Sequence, residues 1–147
     1  MHDKNKRIYT TRELTGFIAS RLTNPDIFEL GEKIYQICCD LGYKVFLPQH
    51  ELPLDTECTP LQILTANEAG VTNADFLIVV FDEASTGTAM ELERGFTLGK
   101  IIIGYRSDEH QESEELGKML QGAWDRIPQG CRAGNLAELR EILAEKL

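Results

Sequence analysis

The residues whose types and spacing suit chemistry fall between two apolar runs. Phe76-Leu77-Ile78-Val79-Val80-Phe81 is followed by Asp82, then by Ser85, Thr86, Gly87 and Thr88, and then by Glu91. Lys100-Ile101-Ile102-Ile103-Gly104-Tyr105 closes the stretch. Hydroxyls at the start of a helix can hold a small anion, because the first N–H groups there have no intrahelical acceptor. A carboxyl group beside them can supply a proton or a hydrogen bond to a leaving group. Plainer readings exist for each residue. Thr88-Ala89-Met90-Glu91 has the form of a capping box, so Glu91 would satisfy the helix start. Asp82 suits a turn at a strand end, and Ser85 and Thr86 suit an ordinary loop.

The elements that position these residues follow from periodicity. A six-residue apolar run without alternation reads as a strand covered on both faces, as in a parallel sheet. Residues 88–98 read as a helix with Ala89, Met90, Leu92, Phe96 and Leu98 on its apolar side, and Gly99 marks its end. With residues 100–105 as the next strand, the stretch is one βαβ unit. Ligands of open parallel sheets bind beyond the carboxyl ends of the strands. The site is therefore predicted at residues 82–87 and in the first helical turn, where Glu91 is expected.

Upstream, Arg7-Ile8-Tyr9-Thr10 is the expected first strand, and residues 12–22 a short helix or ordered loop. Asn24-Pro25 is a cap with proline at the first helical position, opening a helix through Ile27, Leu30, Ile34, Ile37, Cys38 and Leu41 to Gly42. Lys44-Val45-Phe46-Leu47 is strand two. Residues 48–59 form a long proline-containing loop of the kind that is often functional. Thr59-Pro60-Leu61-Gln62 opens a helix that Gly70 bends or ends. Residues 106–114 read as a loop and 115–124 as a helix. A short strand near Cys131 and a last helix capped at Asn135 complete the chain. The expected fold is α/β, a three-layer flavodoxin-like parallel sheet of four to five strands with helices on both faces, in a single domain spanning 1–147.

At 147 residues and 42% apolar content the chain is long enough for a full core. Its net charge of −9 and pI near 4.8 argue against nucleic-acid polymers and anionic membranes as partners. The first six residues lack the apolar core of a signal peptide, and no stretch approaches a membrane span, so a cytoplasmic location is expected. Cys38, Cys39, Cys58 and Cys131, like His2, His50 and His110, have no metal-site or redox spacing. No metal and no cofactor is predicted.

Asn73-Ala74-Asp75, the apolar strand, Gly87-Thr88-Ala89-Met90-Glu91-Leu92 and Gly99-Lys100-Ile101-Ile102 together resemble the nucleoside 2-deoxyribosyltransferase family. The resemblance implies that Glu91 is the nucleophile. It also implies a small-molecule nucleoside or nucleotide substrate and a homo-oligomer in which a neighbour completes the pocket. Tyr9 falls on the family's site tyrosine of the opening strand, although the glycine that usually follows is replaced by Thr10. A carboxylate suits cleavage of an N-glycosidic bond, since it stabilises oxocarbenium character at the anomeric carbon and can capture that carbon covalently. Asp55, Asp82 and Glu68 are candidates to assist the leaving base.

Two positions depart from the family pattern. An aspartate usually stands where this chain has Ser85, and Ser85-Thr86-Gly87 is similar instead to the 2′-deoxynucleoside 5′-phosphate N-hydrolases, in which that serine helps hold the phosphate. Asn67 occupies another aspartate position, and an amide cannot donate a catalytic proton as a carboxylic acid does. Asn67, Ser85, Thr86, Gly87 and Thr88, with Tyr9, are the expected substrate contacts, and Glu91 and Asp82 the expected catalytic pair. A catalytically silent nucleotide-binding module is the competing reading, motivated by Asn67. A flavodoxin-like electron carrier and a phosphoribohydrolase of the cytokinin-activating type rank below it.

Overall fold

The computed structural model describes residues 13–52 and 58–147. Five strands, β1 (Thr15–Ala19), β2 (Lys44–Phe46), β3 (Phe76–Val80), β4 (Ile101–Tyr105) and β5 (Arg132–Ala133), form one parallel sheet in the order β2-β1-β3-β4-β5. This is the flavodoxin-like order. The register sets Phe17 beside Leu77, Ile18 beside Ile78, and Ile78 beside Ile103. Every residue of β3 is buried, as an unbroken apolar run in a sheet covered on both faces must be.

The helices are α1 (Pro25–Asp40), α2 (Pro48–Glu51), α3 (Pro60–Asn73), α4 (Thr86–Thr97), α5 (Asp108–Ser113), α6 (Lys118–Arg126) and α7 (Leu136–Glu145). Side chains alternate along each strand and so divide the core in two. Ile18, Ile78, Val80 and Ile103 face α1 and α7 through Ile27, Ile34, Leu139 and Leu143. Phe17, Ala19, Leu77, Val79 and Phe81 face α3, α4 and α6 through Val71, Leu92 and Trp124. None of the described helices is long and apolar enough to cross a membrane.

The caps act as their sequences predict. The Asn24 side chain accepts from the N–H groups of Asp26 and Ile27, and Asn135 accepts from Glu138. Thr59 and Gln62 exchange both bonds of a capping box. Gly42 and Gly99 hold φ of 86° and 72° just beyond α1 and α4, where a side chain would be strained.

Several boundaries differ from the sequence reading. The first strand among the described residues is Thr15–Ala19, inside the stretch expected as a helix or loop. The segment Arg7-Ile8-Tyr9-Thr10 lies outside the described residues. The reason is burial rather than local pattern. Gly16 admits the Phe76 ring so closely that a Cβ there would sit 2.4 Å from its Cζ. Helix α3 runs through Gly70 to Asn73 without ending, because the missing side chain lets the helix lie against Phe17 and Phe46. Residues 108–113, expected as loop, form α5, and the following helix starts at Lys118.

Two of the motif segments prove to be structural. The Thr15 N–H donates to the Asp75 carboxylate at 2.9 Å, and the Asp75 N–H donates to Thr15 O at 2.6 Å. Lys100 Nζ donates to the carbonyl of Thr72 at 2.8 Å, near the end of α3. Both act at the amino edge of the sheet, opposite the end where ligands gather.

Gly95 brings α4 down onto the sheet, since a Cβ there would lie 2.7 Å from Leu77 Cδ2 and 3.0 Å from Ile102 Cδ1. Gly95→Val is expected to destabilise the fold by about 1–3 kcal/mol through overpacking. Urea denaturation of wild type and variant measures this, and a midpoint unchanged by the substitution would show that α4 is not held at that contact.

Candidate active site

The turn that leads into α4 is held in an unusual conformation. Glu83, a non-glycine residue, has φ of 48°, a left-handed geometry that costs on the order of 1–3 kcal/mol. Tertiary hydrogen bonds hold it there. The Glu83 N–H donates to Glu114 Oε2 at 3.2 Å, and Asn24 Nδ2 donates to Glu83 Oε2 at 3.1 Å. His110 Nε2 stands 3.7 Å from the same oxygen. Ser85 then caps the helix, its Oγ accepting from the Thr88 N–H at 3.2 Å and lying 3.0 Å from Thr88 Oγ1.

With Ser85 as the cap, Glu91 falls in the second turn of α4 and not in the first. The proposed Thr88–Glu91 capping box is thereby excluded, because Thr88 is the third residue inside the helix and Ser85 is the cap. The inward stripe of the helix is Thr88, Glu91, Leu92 and Gly95, at three- and four-residue spacing, and it places a carboxyl group where an apolar side chain is usual. Met90 and Leu98, expected on the apolar side, are 53% and 46% exposed. Burial pushes the Glu91 carboxyl up to about 8, and among the described residues no hydrogen bond or ion pair reaches it.

Glu91 opens onto a cavity of about 370 Å³ between α3 and α4. Gly87, Met90, Glu91 and Arg94 line it from α4, and Ile63, Leu64, Asn67, Glu68 and Val71 from α3. Each set repeats at three and four residues, so the cavity is the seam between two helix faces. Its walls are mostly aliphatic. The polar groups are few: Glu68 Oε2 accepts from Arg94 at 2.8 Å, and Asn67 Oδ1 is buried without a partner. Arg94 thus pairs across the cavity with α3 and not with Glu91, its expected neighbour three residues earlier.

The expected site residues divide into three groups. Glu91, Asn67 and Gly87 meet at the cavity, together with Glu68. Ser85 and Thr88 bond to each other at the helix start, Thr88 being buried, while Thr86 is exposed beside them. Asp82 is elsewhere. It continues the alternation of Ile78 and Val80 and so faces α1, accepting from the Ser107 N–H at 2.9 Å with His110 Nδ1 at 3.3 Å from its other oxygen. It lines a separate cleft with Tyr105, Ser107 and His110, whose neighbouring Tyr105 hydroxyl is pushed up to about 12 by burial and by the Asp82 carboxylate. The pairing of Asp82 with Glu91 is corrected accordingly: one sheet face separates them. Tyr9 and Asp55 lie outside the described residues.

The aliphatic walls and the Glu68–Arg94 pair were missed from sequence. The spacing Pro60, Ile63, Leu64, Asn67, Val71 carries the signal for the α3 wall. Among the described residues no three His, Cys, Asp or Glu side chains converge as metal ligands.

The family model described as nucleoside 2-deoxyribosyltransferase matches residues 17–122. A sequence search of curated proteins finds no match. Among solved structures, a conserved protein from Enterococcus faecalis V583 superposes with a TM-score of 0.75 at 14% identity, covering 92% of this chain and 100% of that one. A CMP N-glycosidase of Clostridium botulinum gives 0.62 at 16% identity, covering 90% and 99%. A 2-deoxyribosyltransferase from Bacillus psychrosaccharolyticus gives 0.60 at 23% identity, covering 77% and 82%. At these identities the structures speak to fold. The family match begins at Phe17, inside β1, and does not include the segment containing Tyr9. It spans β1 to α6, including both helices that line the cavity, and on that match the chain belongs to the nucleoside 2-deoxyribosyltransferase family.

Proposed function

We propose that the protein cleaves the N-glycosidic bond of a nucleoside or nucleoside 5′-monophosphate with Glu91 as nucleophile, passing the sugar to water or to another base. The observation that carries this reading is the Glu91 carboxyl itself, which is desolvated, has no partner among the described residues and opens onto the α3–α4 cavity. A buried acid without a partner costs stability, and functional sites are where such costs concentrate. Its carboxylate would stabilise positive charge at the anomeric carbon and then bond to it. The aliphatic walls suit a flat base. Thr86 and Gly87 open α4, where N–H groups have no intrahelical acceptor, and this supports a 5′-phosphate nearby.

A silent binding module is the second reading, favoured by Asn67, whose amide offers no proton to a leaving base. A homo-oligomer is also proposed. Leu61 is 71% exposed, and Leu64 and Met90 at the cavity mouth are also exposed, an apolar surface that a second copy would cover. Sedimentation velocity is expected to give at least a dimer, and Leu61→Glu with Met90→Glu a monomer. A wild-type monomer at micromolar concentration would remove the oligomer from the reading.

Base release from a panel of ribo- and deoxyribonucleosides and their 5′-monophosphates, with and without an acceptor base, tests the reaction. Glu91→Ala is expected to lose at least ~10³-fold in kcat/KM, a floor well below the roughly 10⁶-fold found when a nucleophile is removed. Equal background rates for wild type and variant would exclude the reaction, and a ligand-induced thermal shift without base release would favour the silent module.

The pH dependence follows from the same group. Only ionised Glu91 can attack, so kcat/KM should rise with pH and level off above about 8. Stability runs the other way. Between about 4.5 and about 8 the folded state retains a proton that the unfolded chain has lost, so stability falls as pH rises through that window. Glu91→Gln should flatten that slope in thermal melts, and a slope that the substitution leaves intact would place its origin in other groups.

A further inference from the structure

The polar inventory of the cavity constrains the leaving group. Cleaving an N-glycoside sends the bonding electron pair to the base nitrogen, and an ordinary nucleobase then needs a proton or strong hydrogen-bond donation to depart. Among the described residues lining the cavity, none is disposed to deliver one. Glu68 is occupied as the acceptor of Arg94 at 2.8 Å. Asn67 is an amide, and Arg94 is a permanent cation. Asp82, the other acidic candidate among the described residues, is buried on the opposite face of the sheet against Ser107 and His110. Among the described residues that leaves Glu91, and one carboxyl cannot hold a proton for the leaving base and attack the anomeric carbon as a carboxylate in the same step.

The charges favour one kind of leaving group. Glu68 and Arg94 cancel, so an ionised Glu91 gives the cavity one net negative charge within a chain of net charge −9. Among the described residues lining the cavity, the one cation, Arg94, is committed to Glu68 and does not compensate it. A cationic ligand would provide that compensation and would favour the charged form of the carboxyl, which burial otherwise disfavours. Ile63, Leu64, Val71 and Met90 offer a flat aromatic cation apolar contact on either side, with a thioether among them.

Resting on the reading of Glu91 as the nucleophile, we propose that the preferred substrates are N-glycosides of an already cationic ring nitrogen, of the N-ribosylpyridinium class. A Glu91 carboxylate oxygen bonds to the anomeric carbon as the bond from that carbon to the ring nitrogen breaks. The electron pair passes to the nitrogen and cancels its positive charge, so the pyridine leaves neutral and takes no proton. Water then adds to the anomeric carbon, the ester bond to Glu91 breaks, the carboxylate is regenerated and one proton goes to solvent. Asn67 fits this chemistry, since its buried Oδ1, without a partner among the described residues, can accept from an amide or amine carried on the ring.

The test compares, at pH 8, the full chain acting on 1-(β-D-ribofuranosyl)nicotinamide, on its neutral 1,4-dihydro form, and on cytidine and 2′-deoxycytidine, with released base measured by chromatography. The expected result is release of nicotinamide at least 100-fold faster than of any neutral base, abolished by Glu91→Gln. The comparison among substrates uses wild-type protein alone, so it does not depend on the variant folding. Release of cytosine as fast as nicotinamide would overturn the inference while leaving the proposed glycosidic reaction standing. Nicotinamide release undiminished in Glu91→Gln would overturn it as well. Release of no base from any of the four would overturn the inference, while the proposed function would stand or fall on the wider panel of bases and 5′-monophosphates.

Discussion

A carboxyl group on the inward stripe of a packed helix is the constraint around which this molecule is arranged. Helix α4 lies close against the sheet because Gly95 carries no side chain, and that approach brings the stripe of Thr88, Glu91, Leu92 and Gly95 toward β3 and α3. Leu92 uses the low dielectric to pack, whereas Glu91 is penalised by it, and its carboxyl is pushed up to about 8. No neighbouring cation or donor relieves that penalty among the described residues, which is unusual for a buried acid. The group is therefore poised. Burial favours its protonated form, and an environment that stabilises the charged form would favour release of the proton.

The division of labour around it follows from the pleat. Successive residues of β3 point to opposite faces, so Val79 and Phe81 look toward α3 and α4 while Val80 and Asp82 look toward α1 and α7. Two acids at the carboxyl end of one βαβ unit are thus sorted into separate environments. Asp82 is satisfied by Ser107 and His110 and helps fix the strand end. Glu91 is left to the cavity. The strained turn at Glu83, held by Asn24 and Glu114, joins the two, fixing where α4 begins and so which of its residues face inward.

Family membership, fold and cavity converge on the α3–α4 seam, but they weigh differently. The family match and the sheet order establish what kind of protein this is. The chemistry proposed for it rests on Glu91 alone among the cavity side chains, because Glu68 and Arg94 neutralise each other and Asn67 cannot titrate. A site with one unpaired carboxyl and aliphatic walls is narrow in what it can catalyse, and that narrowness gives the proposed reaction its testable form.

Much of this was legible in the residues. The unbroken apolar run of β3, the caps at Asn24, Thr59 and Asn135, and the glycines after α1 and α4 are local signals, and local steric and hydrogen-bonding preferences are enough to read them. Glu91 and Asn67 were also visible as residues of interest, from type and motif. Their surroundings were not. The capping-box reading of Thr88 and Glu91 was locally sound, and it yielded because Ser85, three residues earlier, takes the cap. Residues 15–19, expected within a helix or loop, form the strand β1, because a short β segment acquires its stability from its neighbours. The sequence by itself determined the βαβ unit around β3 and β4 and the presence of a carboxyl near the end of β3. Only the tertiary structure decided that Asp82 turns away from Glu91, that Arg94 pairs with Glu68, and that two helix faces enclose a cavity. Those outcomes depend on which side of the sheet each residue meets and on what packs there, and contacts between residues distant in the chain set both.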